Sequence, residues 1–338
     1  MNLTLTSTFS YSRLSTVQKC LFEFFAKYHK GWEPAIPNVH LGFGKAFHAA
    51  SVPVWVEGNS GHGRSLNTAI ETSRDTFMET WEGLGLPIGN DILLAASWLK
   101  QKTPMAGLRI MEAYAKERWD FLATGTLLWV ELPFLMPLGT TDPLTGEQLY
   151  FRGILDRHWM DHHGERPWEL KTTSMGGPNG FYAKFTNSFN PNAQIQGYSV
   201  GFEDKFPGRA KEVVVDAALV HDKHTKFMAQ PVSVSSERQE QWRKNTKALM
   251  ADVRRRERAC NTGEYTFTEA FPQNLESCQG KYGPCQFYDM CKFTLAEALH
   301  VMDEPPAGYV PMRWDEEDPF SPAALADSTP PVQEETVQ

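Results

Sequence analysis

The sequence lacks any long hydrophobic run. No apolar stretch approaches the ~20 residues that a membrane-spanning helix requires. Residues 1–20 (MNLTLTSTFSYSRLSTVQKC) alternate polar and apolar side chains, without the basic segment and apolar segment of a secretory signal. We therefore expect neither a membrane protein nor a secreted one, and a reducing cytoplasm is the expected compartment.

Cysteine is scarce. The 338 residues include only five cysteines, an odd number with unequal spacing. This length excludes a small disulfide-stabilised scaffold, and 41% hydrophobic with 22% charged residues is typical of a soluble globular protein. In a reducing compartment, these cysteines favour metal, cluster or redox roles over disulfides.

The chain also lacks an excess of positive charge, since 33 Lys and Arg face 41 Asp and Glu, a net charge of −8. The excess of negative charge lies at the C-terminus. Residues 303–338 contain nine acidic residues and one arginine, a net charge of −8, so residues 1–302 are neutral overall. The composition of 303–338 predicts an acidic, disordered tail. A nucleic-acid partner is therefore not excluded for residues 1–302.

Apolar periodicity predicts a single α/β domain over residues 1–302. Three strand-like segments at 127–134, 149–159 and 167–172 predict an antiparallel meander. Further strands are predicted at 212–220 and 227–234. Helices are predicted at 10–30, 44–50, 192–202 and 236–259, with two or three more between about 66 and 123. Residues 60–123 then form a helical insertion before a core at about 124–235.

The central constellation consists of Asp156, Glu169 and Lys171. If two neighbouring strands carry them, the two-residue alternation places Glu169 and Lys171 on one face, with Asp156 opposite. Two carboxylates suit Mg²⁺ or Mn²⁺, and an adjacent amine can hold a water aimed at a phosphodiester. A surface salt bridge between Glu169 and Lys171 is the alternative.

Several other polar residues could join this site. His48 ends the sequence GKAFH, while His158 and the His162–His163 pair are competing ligands. Each histidine can also be structural or solvated. Gln194 and Tyr198 are four residues apart, so they share one face of the predicted helix.

Three of the cysteines are clustered. Cys278, Cys285 and Cys291 fall within fourteen residues around a Gly-Pro turn, and they can converge on one inorganic centre. Either Cys20 or Cys260 can supply a fourth thiolate. A Cys₄ zinc site and three unconnected buried thiols remain the alternatives.

Taken in their order along the chain, six short motifs resemble those of the iron–sulfur members of the RecB-like branch of the PD-(D/E)XK nuclease superfamily. These include AddB-type helicase–nucleases, CRISPR-associated RecB-like exonucleases and related phage exonucleases. One departure is that six residues separate Cys278 from Cys285, whereas the family often has C-x-x-C. The matches are S-x-S-x-L-x₅-C at Ser10–Cys20, G-x-x-x-H at Gly44–His48, G-x-x-D at Gly153–Asp156, E-x-K at Glu169–Lys171, Q-x-x-x-Y at Gln194–Tyr198, and the three C-terminal cysteines.

The resemblance implies a fold, a site and an activity. The fold is a central mixed sheet flanked by helices, with both termini stapled by a 4Fe–4S cluster on Cys20, Cys278, Cys285 and Cys291, the last three in a cluster-binding segment at 278–293. His48, Asp156, Glu169 and the Leu170 carbonyl would bind Mg²⁺ or Mn²⁺, Lys171 would position water, and Gln194 and Tyr198 would contact DNA or support the catalytic strand. The implied activity is a DNA exonuclease of recombination, repair or phage DNA processing, in the cytoplasm of a bacterium or a phage-infected host. A helicase or recombination protein is an expected partner.

Two alternative functions follow from the same residues. One is a DNA-binding or assembly subunit of a recombination or CRISPR-adaptation complex with a vestigial nuclease site. The other is a zinc-stabilised protein without nuclease activity. The helix at 236–259, with eight basic and four acidic residues, is a candidate contact for the DNA backbone or simply a solvated face.

Overall fold

The computed structural model describes residues 3–88, 102–142, 145–209, 212–221, 223–280, 283–293 and 296–312. The chain forms two compact units. The cysteine unit comprises Met1–Ala35, Pro133–Ile154 and Glu240–Gln338, and it contains all five cysteines. The sheet unit comprises Ile36–Leu132 and Leu155–Gln239. None of the described helices combines the length and the apolar character that crossing a bilayer requires.

Helices and strands follow in the order that the sequence predicts. The helices are α1 (Tyr11–Lys19), α2 (Leu21–Phe24), α3 (Val39–Gly58), α4 (Leu66–Gly83), α5 (Pro104–Trp119), α6 (Ala183–Thr186), α7 (Ala193–Lys205), α8 (Ser236–Thr262), α9 (Phe267–Ala270), α10 (Tyr288–Phe293) and α11 (Ala296–Val301). The strands are β1 (Thr8–Ser10), β2 (Trp32–Pro34), β3 (Thr126–Thr141), β4 (Gln148–Asp161), β5 (Gly164–Thr173), β6 (Gly176–Gly177), β7 (Gly180–Phe181), β8 (Glu212–Leu219), β9 (Phe227–Ser233), β10 (Gln279–Gly280), β11 (Gly283–Pro284) and β12 (Tyr309–Pro311).

The sheet unit is built on a mixed sheet. Strand β4 pairs antiparallel with β5, ending at Asp161↔Gly164, and it also pairs with β3, which confirms the predicted meander. Strand β5 runs parallel to β8 with Leu170↔Asp216 in register, and β8 pairs antiparallel with β9. The predicted α/β fold with a central mixed sheet is therefore present.

Helices flank both faces of this sheet. On one face α3, α4 and α5 form an apolar core in which Trp55, Trp81 and Tyr114 are fully buried. On the other face, apolar residues of α6 and α7 pack against alternate positions of β8. Side-chain alternation therefore divides β8: Val214 and Ala218 face the first core, and Val213, Val215 and Ala217 face the second.

The cysteine unit has its own core. Strand β1 pairs in parallel with the first half of β4. The ring of Phe25 packs against Phe267 and Phe271, with centroids 4.6 and 5.2 Å apart. Arg254 of α8 lies fully buried and donates to Asp142 Oδ2 over 2.8 Å. These contacts join residues that are more than a hundred positions apart in the sequence.

The predicted helix at 10–30 is interrupted. Cys20 adopts an extended conformation with φ −164° and ψ 117°, which ends α1 and caps α2. A π-helical turn over Phe25–His29 completes the segment. The pattern of apolar residues could not reveal this break, because the side chains on either side of Cys20 keep helical spacing.

The C-terminal segment begins with ordered structure. Residues 303–312 are described, and β12 pairs antiparallel with β2 through Val310↔Glu33. Tyr309 stacks on Phe287 with ring centroids 5.6 Å apart. The remainder of the predicted tail, residues 313–338, and the part of the helical insertion at 89–101 lie outside the described residues.

Candidate active site

Four elements of the sheet unit carry the predicted site residues. Helix α3 begins at its N-cap Asn38, whose side chain accepts from the backbone N–H groups of His40 and Leu41. A Cβ at Gly44 would meet Thr172 Oγ1 of β5 at 3.6 Å, so α3 passes the strand closely here. His48 follows one turn later. The other positions are Asp156 on β4, Glu169, Leu170 and Lys171 on β5, and Gln194 and Tyr198 on α7.

Asp156 lies where β4 leaves β5. The backbone register between these strands runs from Asp161↔Gly164 to Arg157↔Trp168. Two residues beyond Trp168, the Leu170 N–H donates to Asp156 Oδ2 over 2.6 Å, so a side-chain oxygen links the two strands where their backbone pairing ends. The other oxygen, Oδ1, lies 2.8 Å from Nε2 of His48. Asp156 thus contacts both helix α3, through His48, and strand β5, through the Leu170 N–H.

Glu169 and Lys171 project to the same face of β5. The ammonium of Lys171 donates to Glu169 Oε1 and, over 2.9 Å, to Gln194 Oε1. Nε2 of Gln194 donates to Glu169 Oε1 over 3.0 Å and contacts the Tyr198 hydroxyl at 3.1 Å. Glu169 is only 3% exposed, which argues against the alternative of a surface salt bridge.

The pKa values of the two carboxyl groups, Asp156 and Glu169, shift in opposite directions. Burial and then the charge of Asp156 raise the pKa of Glu169 to about 7, against the opposing effect of Lys171. Burial also opposes ionisation of Asp156, but His48 outweighs it and lowers the Asp156 pKa. For His48, burial is outweighed by the Asp156 carboxylate, and the pKa is raised. Without a bound cation, these shifts favour the ionised form of Asp156 and the protonated form of Glu169.

The donor set fits a hard divalent cation. Among the described residues, no three His, Cys, Asp or Glu side chains already stand as a metal-binding group. In this structure Asp156 contacts His48 and accepts a hydrogen bond from the Leu170 N–H. Yet Glu169 Oε2 is buried and has no hydrogen-bond partner in the described part of the chain. An unpartnered carboxylate oxygen beside a second carboxylate is what Mg²⁺ or Mn²⁺ would satisfy.

A further carboxylate, missed by the sequence analysis, borders the site. Glu131 Oε1 lies 3.6 Å from Nδ1 of His48. Its backbone φ is +50°, a left-handed conformation that is strained for a residue with a side chain and that occurs here inside β3. In the sequence LLWVELPF, Glu131 looks like a solvent-facing strand residue, and no local pattern distinguishes it.

The competing histidines lie elsewhere. Nε2 of His158 is 2.9 Å from Glu165 Oε2, and its ring packs between Phe202 and Phe206. His162 and His163 contact each other at the turn between β4 and β5, with ring centroids 3.8 Å apart. The structure therefore brings His48, and not these three, to Asp156.

Cys20, Cys278, Cys285 and Cys291 lie near one another in the cysteine unit, but among the described residues they do not form a group that could hold a metal ion. Burial and then the charges of Cys20, Cys285 and Cys278 raise the pKa of Cys291 to about 12. The backbone N–H of Cys285 donates to the Cys278 carbonyl over 2.8 Å across the β10–β11 hairpin. Buried thiols with raised pKa values stay protonated unless a cation compensates the thiolates. Cys260 sits apart, near the end of α8.

Comparison with known proteins agrees with this geometry. No curated protein matches the chain. A model of the PD-(D/E)XK nuclease superfamily matches residues 8–292, which is most of the 338 residues and includes strands β1 to β11, the site on β4 and β5, and all five cysteines. The chain therefore belongs to the PD-(D/E)XK nuclease superfamily.

Proposed function

We propose that the protein is a metal-dependent DNA exonuclease. The observation that carries the proposal is the cluster of His48, Asp156, Glu169 and Lys171, in which both carboxylates are buried and Glu169 Oε2 has no partner among the described residues. This is the set of groups that phosphodiester hydrolysis requires: acidic ligands for a cation and an ammonium beside them. Superfamily membership supports a nuclease, and the motif resemblance supports action on DNA ends.

In this proposal each side chain has a separate task. Asp156, Glu169, the Leu170 carbonyl and His48 would hold Mg²⁺ or Mn²⁺, and the cation would supply positive charge to stabilise the phosphate in the transition state. Lys171 holds the attacking water by a hydrogen bond and favours its deprotonation. Because its Nζ is fixed by Glu169 and Gln194, Lys171 is oriented before the substrate arrives.

Gln194, Tyr198 and Glu131 position these groups. Gln194 bonds to both Glu169 and Lys171, and Tyr198 in turn contacts Gln194, so α7 braces the catalytic strand. Glu131 lies on the Nδ1 side of His48 and favours the arrangement in which Nε2 points to Asp156. Recombination, repair or phage DNA processing in the cytoplasm, alongside a helicase or recombination protein, is the setting that the motif resemblance supports.

The test is cleavage of end-labelled single- and double-stranded linear DNA, with circular DNA as the control for endonuclease activity. We expect activity with Mg²⁺ or Mn²⁺ and none with EDTA. Asp156→Asn and Glu169→Gln should each lower the rate by on the order of 10²–10⁴. Glu112→Gln, at an exposed Lys116 pair on α5, is the matched control and should cleave normally. A protein that binds DNA without cleaving it under any of these conditions has a vestigial site instead.

We also propose that Cys20, Cys278, Cys285 and Cys291 hold a 4Fe–4S cluster. The mutual charge effects on Cys291 support their proximity. Ligation would close a loop of more than 250 residues between Cys20 and Cys278, so the role of the cluster is structural. A Cys₄ zinc site is the alternative.

Metal analysis of anaerobically purified protein tests the cluster. We expect iron and acid-labile sulfide, a brown colour, and loss of both iron and stability in Cys20→Ala and Cys291→Ala. Cys260→Ala is the matched control, because Cys260 is also buried but lies apart from the other four. Stoichiometric zinc without sulfide would establish the zinc site, and iron loss in Cys260→Ala alone would reassign the fourth ligand.

A further inference from the structure

Helix α3 carries His48, and a buried arginine of β4 contacts the same helix one and two turns further along. Arg157 follows Asp156 directly in the sequence and is fully buried. Its Nη2 donates to Ser51 Oγ, and its guanidinium carbon lies 4.7 Å from the centre of the Trp55 ring. We propose that Arg157 is a positioning residue for cleavage, because through Ser51 it fixes the turn of α3 that carries His48. This role rests on the proposed function.

Two hydrogen bonds connect Arg157 to the backbone of His48. The Ser51 hydroxyl accepts from Arg157 Nη2 and donates to the His48 carbonyl over 2.6 Å. Residues three apart on an α-helix share a face, so the second bond spans one turn of α3. Ser51 and Arg157 are both fully buried, which shields these bonds from bulk water. The turn that carries His48 is therefore tied to β4.

Trp55 holds the guanidinium in place. Its Nε1 donates to the Tyr114 hydroxyl over 2.7 Å, which fixes the orientation of the indole. The indole also packs edge-on against Trp159 and Trp168, with ring centroids 5.3 Å apart in each pair. A guanidinium that lies over an indole ring gains cation–π attraction in addition to its hydrogen bonds. Arg157 is thus oriented by the ring as well as by the helix.

Two neighbouring residues of β4 therefore contact one helix. Consecutive residues of a strand ordinarily point to opposite faces of the sheet. Yet Asp156 Oδ1 lies 2.8 Å from His48 Nε2, while Arg157 bonds to Ser51 on the same helix. The contacts close a ring that leads from Asp156 to His48, along one turn of α3, and back to β4. A shift of α3 along β4 would break both contacts together.

The chemistry of Arg157 suits positioning rather than packing alone. A buried guanidinium is costly to desolvate, and an apolar side chain would fill the same space at a lower cost. Its Nε and Nη1 have no hydrogen-bond partner in the described part of the chain, so the polar contact goes to Ser51. Lysine keeps the charge but lacks a planar group that bonds to a hydroxyl while lying on an indole. Arg157→Lys therefore removes the geometry and retains the charge.

The experiment compares the Mn²⁺ affinity, measured by calorimetry without DNA, with kcat and KM for linear DNA. We expect Arg157→Lys and Ser51→Ala each to weaken Mn²⁺ binding about tenfold and to lower kcat about tenfold at constant KM, as loss of a group that orients a metal ligand does. Ser51→Ala removes a single oxygen from a helix interior, so it serves if Arg157→Lys unfolds the protein. Arg166→Lys is the matched control, because Arg166 pairs with Asp161 over 2.7 Å at the far end of the β4–β5 hairpin.

The imidazole of His48 supplies a readout that needs neither metal nor DNA. Its ring signals in the nuclear magnetic resonance spectrum of histidine-labelled protein are identified by their loss in His48→Ala. We expect Ser51→Ala and Arg157→Lys to shift these signals, and Arg166→Lys to leave them in place. The double variant of Ser51 and Arg157 should be no worse than Arg157→Lys alone, since both changes break one connection.

The outcomes separate this role from the proposed function. Unchanged His48 signals in both variants, or parent-like Mn²⁺ affinity and kcat in an active protein, would overturn the positioning role of Arg157. Lower thermal stability without any change in these readouts would show that Arg157 only stabilises the fold. A parent protein that neither binds Mn²⁺ nor cleaves DNA would overturn the proposed function, whereas the His48 signals would still decide whether Arg157 positions His48.

Discussion

The backbone N–H of Leu170 donates a hydrogen bond to Oδ2 of Asp156 over 2.6 Å, at the point where β4 and β5 stop pairing. One carboxylate therefore ends the strand ladder and forms the candidate cation site. Leu170 itself lies between Glu169 and Lys171, so this bond sets the distance between Asp156 and both. The position of the site then depends on the pairing of β4 and β5 in the sheet.

Lys171→Met should abolish cleavage and preserve metal binding. The ammonium is not a cation ligand, and its removal takes away the group that holds the water, so the rate should fall by on the order of 10²–10⁴. Calorimetric titration with Mn²⁺ checks that the metal still binds. Lys116→Met, at an exposed pair with Glu112, is the control. Near-normal turnover in Lys171→Met would refute the assignment of Lys171.

The variant Gln194→Leu tests whether Gln194 supports Glu169 and Lys171 on β5 or contacts DNA. Leucine keeps the bulk of the side chain but cannot bond to Lys171 and Glu169, so we expect kcat to fall about tenfold with little change in KM. Tyr198→Phe, which removes the hydroxyl that contacts Gln194, should have a smaller effect. A raised KM at constant kcat would show instead that Gln194 binds the substrate.

Glu131→Gly should lower the cleavage activity without lowering the stability of the protein. Glycine adopts a φ of +50° without strain, so the variant should be at least as stable as the parent protein in thermal melts. It also loses the carboxylate beside His48, and cleavage should fall several-fold. Glu131→Gln separates charge from strain, because it keeps both the side-chain size and the backbone conformation. If both variants cleave like the parent, Glu131 has no positioning role.

Glu169→Gln should stabilise the metal-free protein at high pH. The pKa of Glu169 is about 7 in the folded protein and lower in the unfolded chain. As the pH rises from the unfolded pKa to about 7, ionisation of Glu169 therefore destabilises the folded state progressively. In EDTA at pH 8, we expect Glu169→Gln to gain at least ~1 kcal/mol over the parent, with the gain disappearing near pH 4. Urea unfolding at both pH values measures it. A constant difference across the range would contradict the burial effect.

Truncation after Met312 should strengthen DNA binding at low salt and leave cleavage intact. This cut keeps β12, whereas a cut after residue 302 would remove its pairing with β2. Residues 313–338 carry seven acidic residues and one arginine, and their repulsion of DNA is screened by salt. Filter binding at two ionic strengths checks this, with neutral substitutions across 315–318 as the control. Equal affinity at low salt would rule out the repulsion.

The sequence by itself determined the order of the helices and strands along the chain and the residue types expected at the site. Runs of β-forming residues in β4, β5 and β8 and helical spacing in α7 are local properties, which single segments reveal. The E-x-K spacing fixed Glu169 and Lys171 on one face for the same reason. The assignments of Cys20, Cys278, Cys285 and Cys291 also came from sequence, through family resemblance, and their roles remain predictions, as does a single domain over residues 1–302.

Only the tertiary structure decided which groups meet. His48 and Asp156 are separated by more than a hundred residues, and the choice of His48 over His158 depends on how α3 packs against the sheet. The strained backbone of Glu131 and its contact with His48 also depend on that packing, and neither produces a pattern in the local sequence. The extended Cys20 likewise interrupts a segment whose side chains keep helical spacing. Side-chain periodicity reports which face a residue occupies, whereas the free energy of packing distant segments decides what that face contacts.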